Sequence, residues 1–483
     1  MVFSSTLFVF LFLASVLGLY FLAPRTGKNA VLLAASLFFY AWGETFFVLL
    51  MLASILANYG LGLLIGRSRG TPLAKRWLTV AIVLDLAILA GFKYANFAVA
   101  NWNALCARLG LEPIEWTDIH LPLGISFFTF QAMSYVIDVY RGDAEVQRSP
   151  FRLSLYISLF PQLIAGPIVR YREIEDQLRQ RFHSLSGFAL GVRRFTIGMS
   201  KKVLLANPLS VPVEQIFALP DEALTPAVAW VGVVAYMLQL YFDFSGYSDM
   251  AIGLGHMFGF KFPENFRYPF AARTVRDLWT RWHISLTSWF RDYLYIPMGG
   301  NRRSSARVAL NLVTVFVLCG FWHGPHWNYI LFGLYHGVFL SLERIPSYRQ
   351  FVDTMWRPLQ HAYVIYVWWI GLAIFRTDSL GQCWSFLRTM HGFPLDASLR
   401  TAGEFLTPLV VLVFPIAAVA SLPVLPLVKR WFDARRDGLA DAARARFESV
   451  GAVLVVLSIT VLLGLSALEL AASTHNPFIY FRF

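Results

Sequence analysis

Apolar runs about as long as a membrane is thick recur from one end of this chain to the other, separated by short segments that gather the charge. That alternation constrains the fold more than any other feature, because a helix satisfies its own backbone hydrogen bonds and crosses the hydrocarbon layer in roughly 20 residues. Of the 483 residues, 57 % are hydrophobic and only 14 % charged, more apolar surface than a water-soluble globule of this size can hide. The sequence therefore predicts an all-α polytopic membrane protein. Fifteen Trp, twenty Tyr and forty-three Phe suit helix packing and interfacial anchoring.

The runs predict twelve spans, near 3–23, 30–42, 44–65, 77–99, 120–140, 203–218, 227–245, 308–322, 327–343, 362–375, 406–427 and 449–471. The first run lacks a basic start and is too long for a signal-peptide core, so it is expected to stay as a span. A formal net charge of +12 would suggest nucleic acid in a soluble protein. Here the Lys and Arg fall between apolar runs, at 24–29, 66–76, 141–150, 170–202, 261–307, 344–361 and 428–448, so the excess reads as topology and the partner surface as lipid. These loops are expected in the cytosol and both termini outside, and an even span count agrees.

Two segments break the pattern. Residues 151–169 are apolar yet flanked by basic stretches, with Pro161, Gly166 and Pro167 to interrupt a helix; residues 275–299 are too rich in Arg for a lipid-facing span. Both are expected to be re-entrant and to line an inner cavity, where non-helical backbone at membrane depth is tolerated. Residues 428–448, with Arg430, Arg435, Arg436, Arg444 and Arg446, predict a cytosolic amphipathic helix. No repeat or long linker divides the chain, so 1–483 reads as one domain. Cys106, Cys319 and Cys383 lie far apart without metal-binding or disulfide spacing.

Ionisable groups inside a membrane domain are costly and mark functional sites there by default. The strongest cluster is Phe321-Trp322-His323-Gly324-Pro325-His326-Trp327, at a turn between two apolar runs, with Tyr335-His336-Gly337 on the next helix. Histidine suits a general base because its ordinary pKa, about 6.5, lies near working pH. Gly324 and Pro325 would break the helix and let His323 point into a cavity. The alternative is a core histidine donating to a carbonyl; the crowded neighbourhood favours a functional His323, leaves His336 open, and His326 reads as interfacial.

The second cluster runs from Arg276 to Leu286 and contains Arg281, Trp282 and His283. His283 could orient a substrate or a catalytic partner, and Arg276, Arg281 and Arg291 could hold the phosphates of a donor such as coenzyme A. A surface helix whose Arg and Trp reach the headgroups accounts for it equally. Asp243 and Asp249 follow an apolar run and read as ion-pairing groups, with the arginines of the next segment among the available partners. Asp85 and Lys93 share a helix face about two turns apart and read as helix packing or ion pairs to a neighbour. Spacing offers no metal site, since His283 and His323 are separated by a whole span. There is no phosphate-binding glycine loop, dinucleotide pattern or serine-esterase elbow, which leaves a histidine acting on an activated donor.

These residues resemble the membrane-bound O-acyltransferase family, in particular its alginate O-acetylation branch. The resemblance is carried by Met1-Val2-Phe3-Ser4-Ser5, Phe39-Tyr40-Ala41-Trp42, Leu123-Gly124-Ile125-Ser126-Phe127 and Gln162 to Ile168, then by Tyr241 to Asp249, Arg281 to Leu286, Phe321-Trp322-His323-Gly324 and the aromatic Phe478-Ile479-Tyr480-Phe481. It covers nearly the whole chain in order. It implies helices and re-entrant pieces around a central tunnel in the bacterial inner membrane. It also implies His323 as the catalytic histidine midway along that tunnel, with His283 as the second polar residue of the pair. The donor would be acetyl-CoA from the cytosol, with no cofactor bound, and periplasmic acetyltransferase partners would receive the acetyl group for an exopolysaccharide. Other readings are a D-alanyl, lipid or peptidoglycan-directed acyltransferase of the same family, a non-catalytic acetyl conduit, or a channel whose histidines line a pore.

Overall fold

A computed structural model describes residues 2–393, 400–472 and Pro477, and these are helical without a single strand. Met1 and the aromatic Phe478–Phe481 motif fall outside the described residues, as do both chain ends whose outward placement the loop charges predict.

Among the described residues five helices are long and apolar enough to cross a membrane alone: Phe47–Arg67, Pro226–Met257, Ser305–His323, Arg357–Arg376 and Asp441–Ala472. Two bent pairs raise the number to seven: Pro72–Lys93 with Ala95–Leu109, and Pro408–Ala420 with Val424–Asp437, each bent by 59°. The twelve predicted runs are thus mostly helical, but several are short or interrupted. The 203–218 run is the far half of a helix that starts inside a predicted loop: Leu185–Ser200 passes through a π-helical turn, Lys201–Ala206, into Asn207–Phe217. The 428–448 amphipathic helix does not exist as one unit. A break at Gly438–Ala440 divides it between the Val424–Asp437 helix and the start of Asp441–Ala472. The Leu380–Met390 helix lies where no element was predicted.

Two close helix contacts organise what surrounds the centre. Leu185–Ser200 packs on Pro226–Met257 glycine to glycine: a Cβ on Gly198 would stand 2.5 Å from Gly246 O, and one on Gly253 would stand 2.7 Å from Gly191 O. Spacings of seven residues on both helices put these pairs on one seam, the small-residue packing that substitutes for hydrophobic attraction in lipid. Ser305–His323 and Trp327–Leu342 form an equally tight hairpin, in which Gly320, Gly333 and Gly337 leave no room for a Cβ against the facing backbone.

The 151–169 segment enters the core as predicted. Pro150–Ser158 breaks at Leu159 (φ −55°, ψ 110°), two residues before Pro161, and a short turn at Phe160–Leu163 follows; all of 153–169 is buried. The 275–299 segment is only partly buried, with Arg276, Thr280, Arg291, Ile296 and Pro297 exposed, and forms three pieces: Val275–Arg281, Ile284–Phe290 and a π turn, Arg291–Tyr295.

Candidate active site

His323 is the last residue of the Ser305–His323 helix. The helix stops there because Pro325 lacks an N–H and holds the preceding residue off helical geometry; Gly324 is extended accordingly (φ 179°, ψ 164°).

His283 arrives from the re-entrant side. Trp282 is extended and His283 sits in the left-handed region (φ 44°, ψ 52°), a conformation that costs a residue with a side chain about 1–3 kcal/mol and persists only where the surroundings impose it. The surroundings here are Asn265. Ile284 N donates to Asn265 O (2.9 Å). Asn265 Oδ1 accepts from Ser285 N (3.2 Å) and Ser285 Oγ (2.9 Å), and His283 Nδ1 lies 3.2 Å from the same oxygen. An amide oxygen only accepts, so this network assigns the proton to Nδ1 and makes Nε2 the acceptor nitrogen. Asn265 Nδ2 donates to Ser248 Oγ (3.0 Å), which fixes the amide's direction, and Ile168 N donates to Ser285 Oγ (3.0 Å), joining the other re-entrant piece to the arrangement.

The two histidines line one inner cavity of about 30 Å³, walled by Leu240, Phe244, Trp279, Trp282, Trp368 and Phe375 among others. A water needs about 10–15 Å³ by the same measure, so this space has room for only a few atoms. Phe244 stands edge-on to His283 at 4.6 Å between ring centroids, and Phe375 edge-on to His323 at 5.3 Å. His323 also lines a second, more polar cavity of about 410 Å³, together with Glu44, Lys93, His120, Ser126 and Trp322. The separation of the two histidines by a span in the sequence is thus undone by the fold, which puts both on one cavity and His323 at its junction with the next.

The predicted cations do not line the inner cavity. Arg281 pairs with Asp277 (2.8 Å) and Arg291 with Asp292 (2.7 Å), while Arg276 is exposed. The backbone N–H groups of Val275 and Arg276 donate to the buried Glu343 carboxylate (2.7 and 2.9 Å), which caps this short helix from outside. His336 is fully buried among Trp279, Phe332, Tyr335 and Trp368 and lines neither cavity. His326 is exposed. Asp249 pairs with Arg194 (2.7 Å) and Lys201 (2.6 Å), and Asp243 with Lys202 (2.7 Å). These cations come from the preceding helix and not from the following segment. Asp85 accepts from Asn58 (2.7 Å) on the neighbouring helix, whereas Lys93 faces the end of the His323 helix. Among the described residues no group of three or more His, Cys, Asp or Glu could hold a metal ion.

Asn265 and Glu343 escaped the sequence reading. Each is an ordinary polar residue in or beside a basic loop, and its importance lies in distant backbone groups that only the fold brings to it.

The membrane-bound O-acyltransferase family matches residues 146–377, a stretch that contains both histidines. Over its full length the chain is 41 % identical to the probable alginate O-acetylase AlgI of Azotobacter vinelandii, across 502 aligned residues and 100 % of both chains. It is 38 % identical to the protein of the same name from Pseudomonas aeruginosa, again over 100 % of both. The peptidoglycan O-acetyltransferase of Helicobacter pylori is 36 % identical over 84 % of this chain and 83 % of that one.

Proposed function

Since the chain belongs to the membrane-bound O-acyltransferase family, we propose that it is a membrane O-acetyltransferase that takes acetyl from a cytosolic thioester and passes it outward for O-acetylation of an alginate-like exopolysaccharide. The observation that carries this reading is the place of His323, on the wall of both the small inner cavity and the polar outer one.

In this reading the acetyl thioester of coenzyme A reaches the inner cavity from the cytosolic side, and an acceptor hydroxyl reaches His323 through the outer cavity. The imidazole of His323 takes the hydroxyl proton as the oxygen attacks the thioester carbonyl. The carbon–sulfur bond then breaks, and the proton passes to the departing thiolate. The products are an O-acetyl ester and free coenzyme A, so no oxidant or metal is required. His283, held by Asn265, positions the thioester. Arg276, Arg281 and Arg291 lie outside the cavity and hold the donor's phosphates at the cytosolic mouth. The acceptor is a periplasmic acetyltransferase partner, and the chain sits in the bacterial inner membrane with twelve crossings around a central tunnel and both termini in the periplasm. The inner cavity's size supports a two-carbon donor over a fatty-acyl one, and the full-length similarity to alginate O-acetylases supports alginate over peptidoglycan.

Cells lacking this protein, complemented with wild type or His323→Ala at equal membrane abundance, test the proposal. Polysaccharide O-acetyl content should return with wild type alone. Restoration by both would leave the chain a conduit.

A further inference from the structure

The last four carbonyls of any α-helix have no partner within it, and in a membrane each one left bare costs several kcal/mol. Helices commonly solve this with a left-handed glycine that folds the following N–H groups back. The Ser305–His323 helix does not, because Gly324 is extended and Pro325 has no N–H to offer. Its final carbonyls are met instead by two adjacent side chains from another helix. Tyr94 Oη donates to Phe321 O (2.9 Å), and Lys93 Nζ donates to Trp322 O (2.6 Å) and His323 O (3.3 Å). The third ammonium proton has Ser126 Oγ at 3.1 Å.

We propose that Lys93 and Tyr94 are positioning residues for the acetyl transfer, a clamp that fixes the end of the His323 helix so that the imidazole stands at the junction of the two cavities. Several independent features carry this. Lys93 is only 5 % exposed, and its polar contacts are these three oxygens, with no carboxylate among them. Asp85 on the same helix is bonded to Asn58, and Glu44, which shares the outer cavity, lies 3.2 Å from His120. A buried amine without a carboxylate partner suits a helix C-terminus, where bare carbonyls and the macrodipole's partial negative charge meet its N–H groups. Lys93 also sits 5.6 Å over the Trp322 ring, and the Tyr94 ring stacks on Phe321 at 4.0 Å and 15°, so the carbonyls of all three terminal residues and the side chains of two of them are gripped together. The clamp exists because Pro72–Lys93 ends where it does: the 59° bend to Ala95–Leu109 falls at Tyr94, which turns two consecutive residues onto one target.

The inference rests on His323 being the catalytic base, and its test separates the two. Wild type, His323→Ala, Lys93→Met, Lys93→Arg and Tyr94→Phe are purified at matched monodispersity and assayed for acetyl transfer from acetyl-CoA to acceptor. Misplacing a reacting group by about 1 Å can cost on the order of 100-fold in rate. Lys93→Met should therefore lose about 10- to 100-fold in kcat with KM for acetyl-CoA unchanged, Tyr94→Phe several-fold, and Lys93→Arg should recover part of the loss by returning charged donors. Activity in His323→Ala would refute the base assignment. An inactive His323→Ala beside Lys93→Met and Tyr94→Phe at wild-type kcat would refute the clamp alone. A Lys93→Met variant that melts lower yet keeps wild-type kcat would also overturn it, since its role would then be structural.

Discussion

At the scale of single residues, the site depends on what holds each imidazole, and the two histidines are held in opposite ways. His323 ends a regular helix, and its position follows from a proline two residues on. His283 occupies a strained left-handed conformation, for which Asn265 gathers one side-chain and three backbone or hydroxyl contacts from residues 283–285. Replacing Asn265 by Leu keeps the volume and removes the acceptor, freeing the His283 ring to turn and its tautomer to change. Turnover should fall about 10- to 100-fold, and Asn265→Asp, which keeps an acceptor, should retain more; a Leu variant at full rate would show that the network is incidental. His283 and His323 were legible in the sequence because histidine is rare and expensive at membrane depth. Asn265 was not, since nothing marks one asparagine in a basic loop until the backbone turns three N–H or O–H groups toward it. The partners of Arg281 and Arg291 were not legible either: composition shows a cation but not that Asp277 and Asp292 stand beside these two.

At the scale of elements, the π turn at Lys201–Ala206 shows how buried charge joins two helices. Lys202 and Asp243 are each about 3 % exposed and 2.7 Å apart, and Lys202 also donates to Pro477 O. Removing one member of such a pair strands the other, at about 3–5 kcal/mol, whereas replacing both by apolar residues of similar size is often neutral. Asp243→Ala should thus lower the melting temperature in detergent sharply, and Asp243→Leu with Lys202→Met should recover most of it. Equal melting for single and double variants would contradict this reading. The sequence identified Asp243 as an ion-pairing residue but looked for its partner downstream, because the 203–218 run seemed to begin a helix that in fact begins at Leu185.

The loop between the Tyr171–Arg179 and Leu185–Ser200 helices carries a pH-sensitive contact. His183 lies 2.8 Å from Tyr20 Oη. Partial desolvation of this largely exposed ring, then the charges of Lys28 and Arg181, hold its pKa below the ordinary value. The folded state therefore binds fewer protons than the unfolded one as pH falls through about 6.5 and below, and stability declines in that window. His183→Gln should flatten the fall in melting temperature between about pH 7 and pH 5; an unchanged slope would place the effect elsewhere.

At the scale of the whole molecule, the alternation of apolar runs and basic loops made the class legible, and the order of motifs along the chain made the family legible. The bounds and bends of the individual helices were not, because a hydropathy run reports apolar composition without saying where a helix bends. The 59° bend at Tyr94 is the clearest case: one predicted span near 77–99 is two helices, and their junction faces the end of the His323 helix. Glycine seams, re-entrant pieces and that bend together leave His323 on the wall of both a small cavity and a polar one, the arrangement on which the proposed outward acetyl transfer is built. Sealed right-side-out membrane vesicles, loaded inside with acetyl-labelled acetyl-CoA and carrying wild type or His323→Ala, test that account most directly. Label should accumulate on outward-facing acceptor with wild type alone. Equal label with His323→Ala, or equal transfer when the donor is supplied only outside, would contradict it.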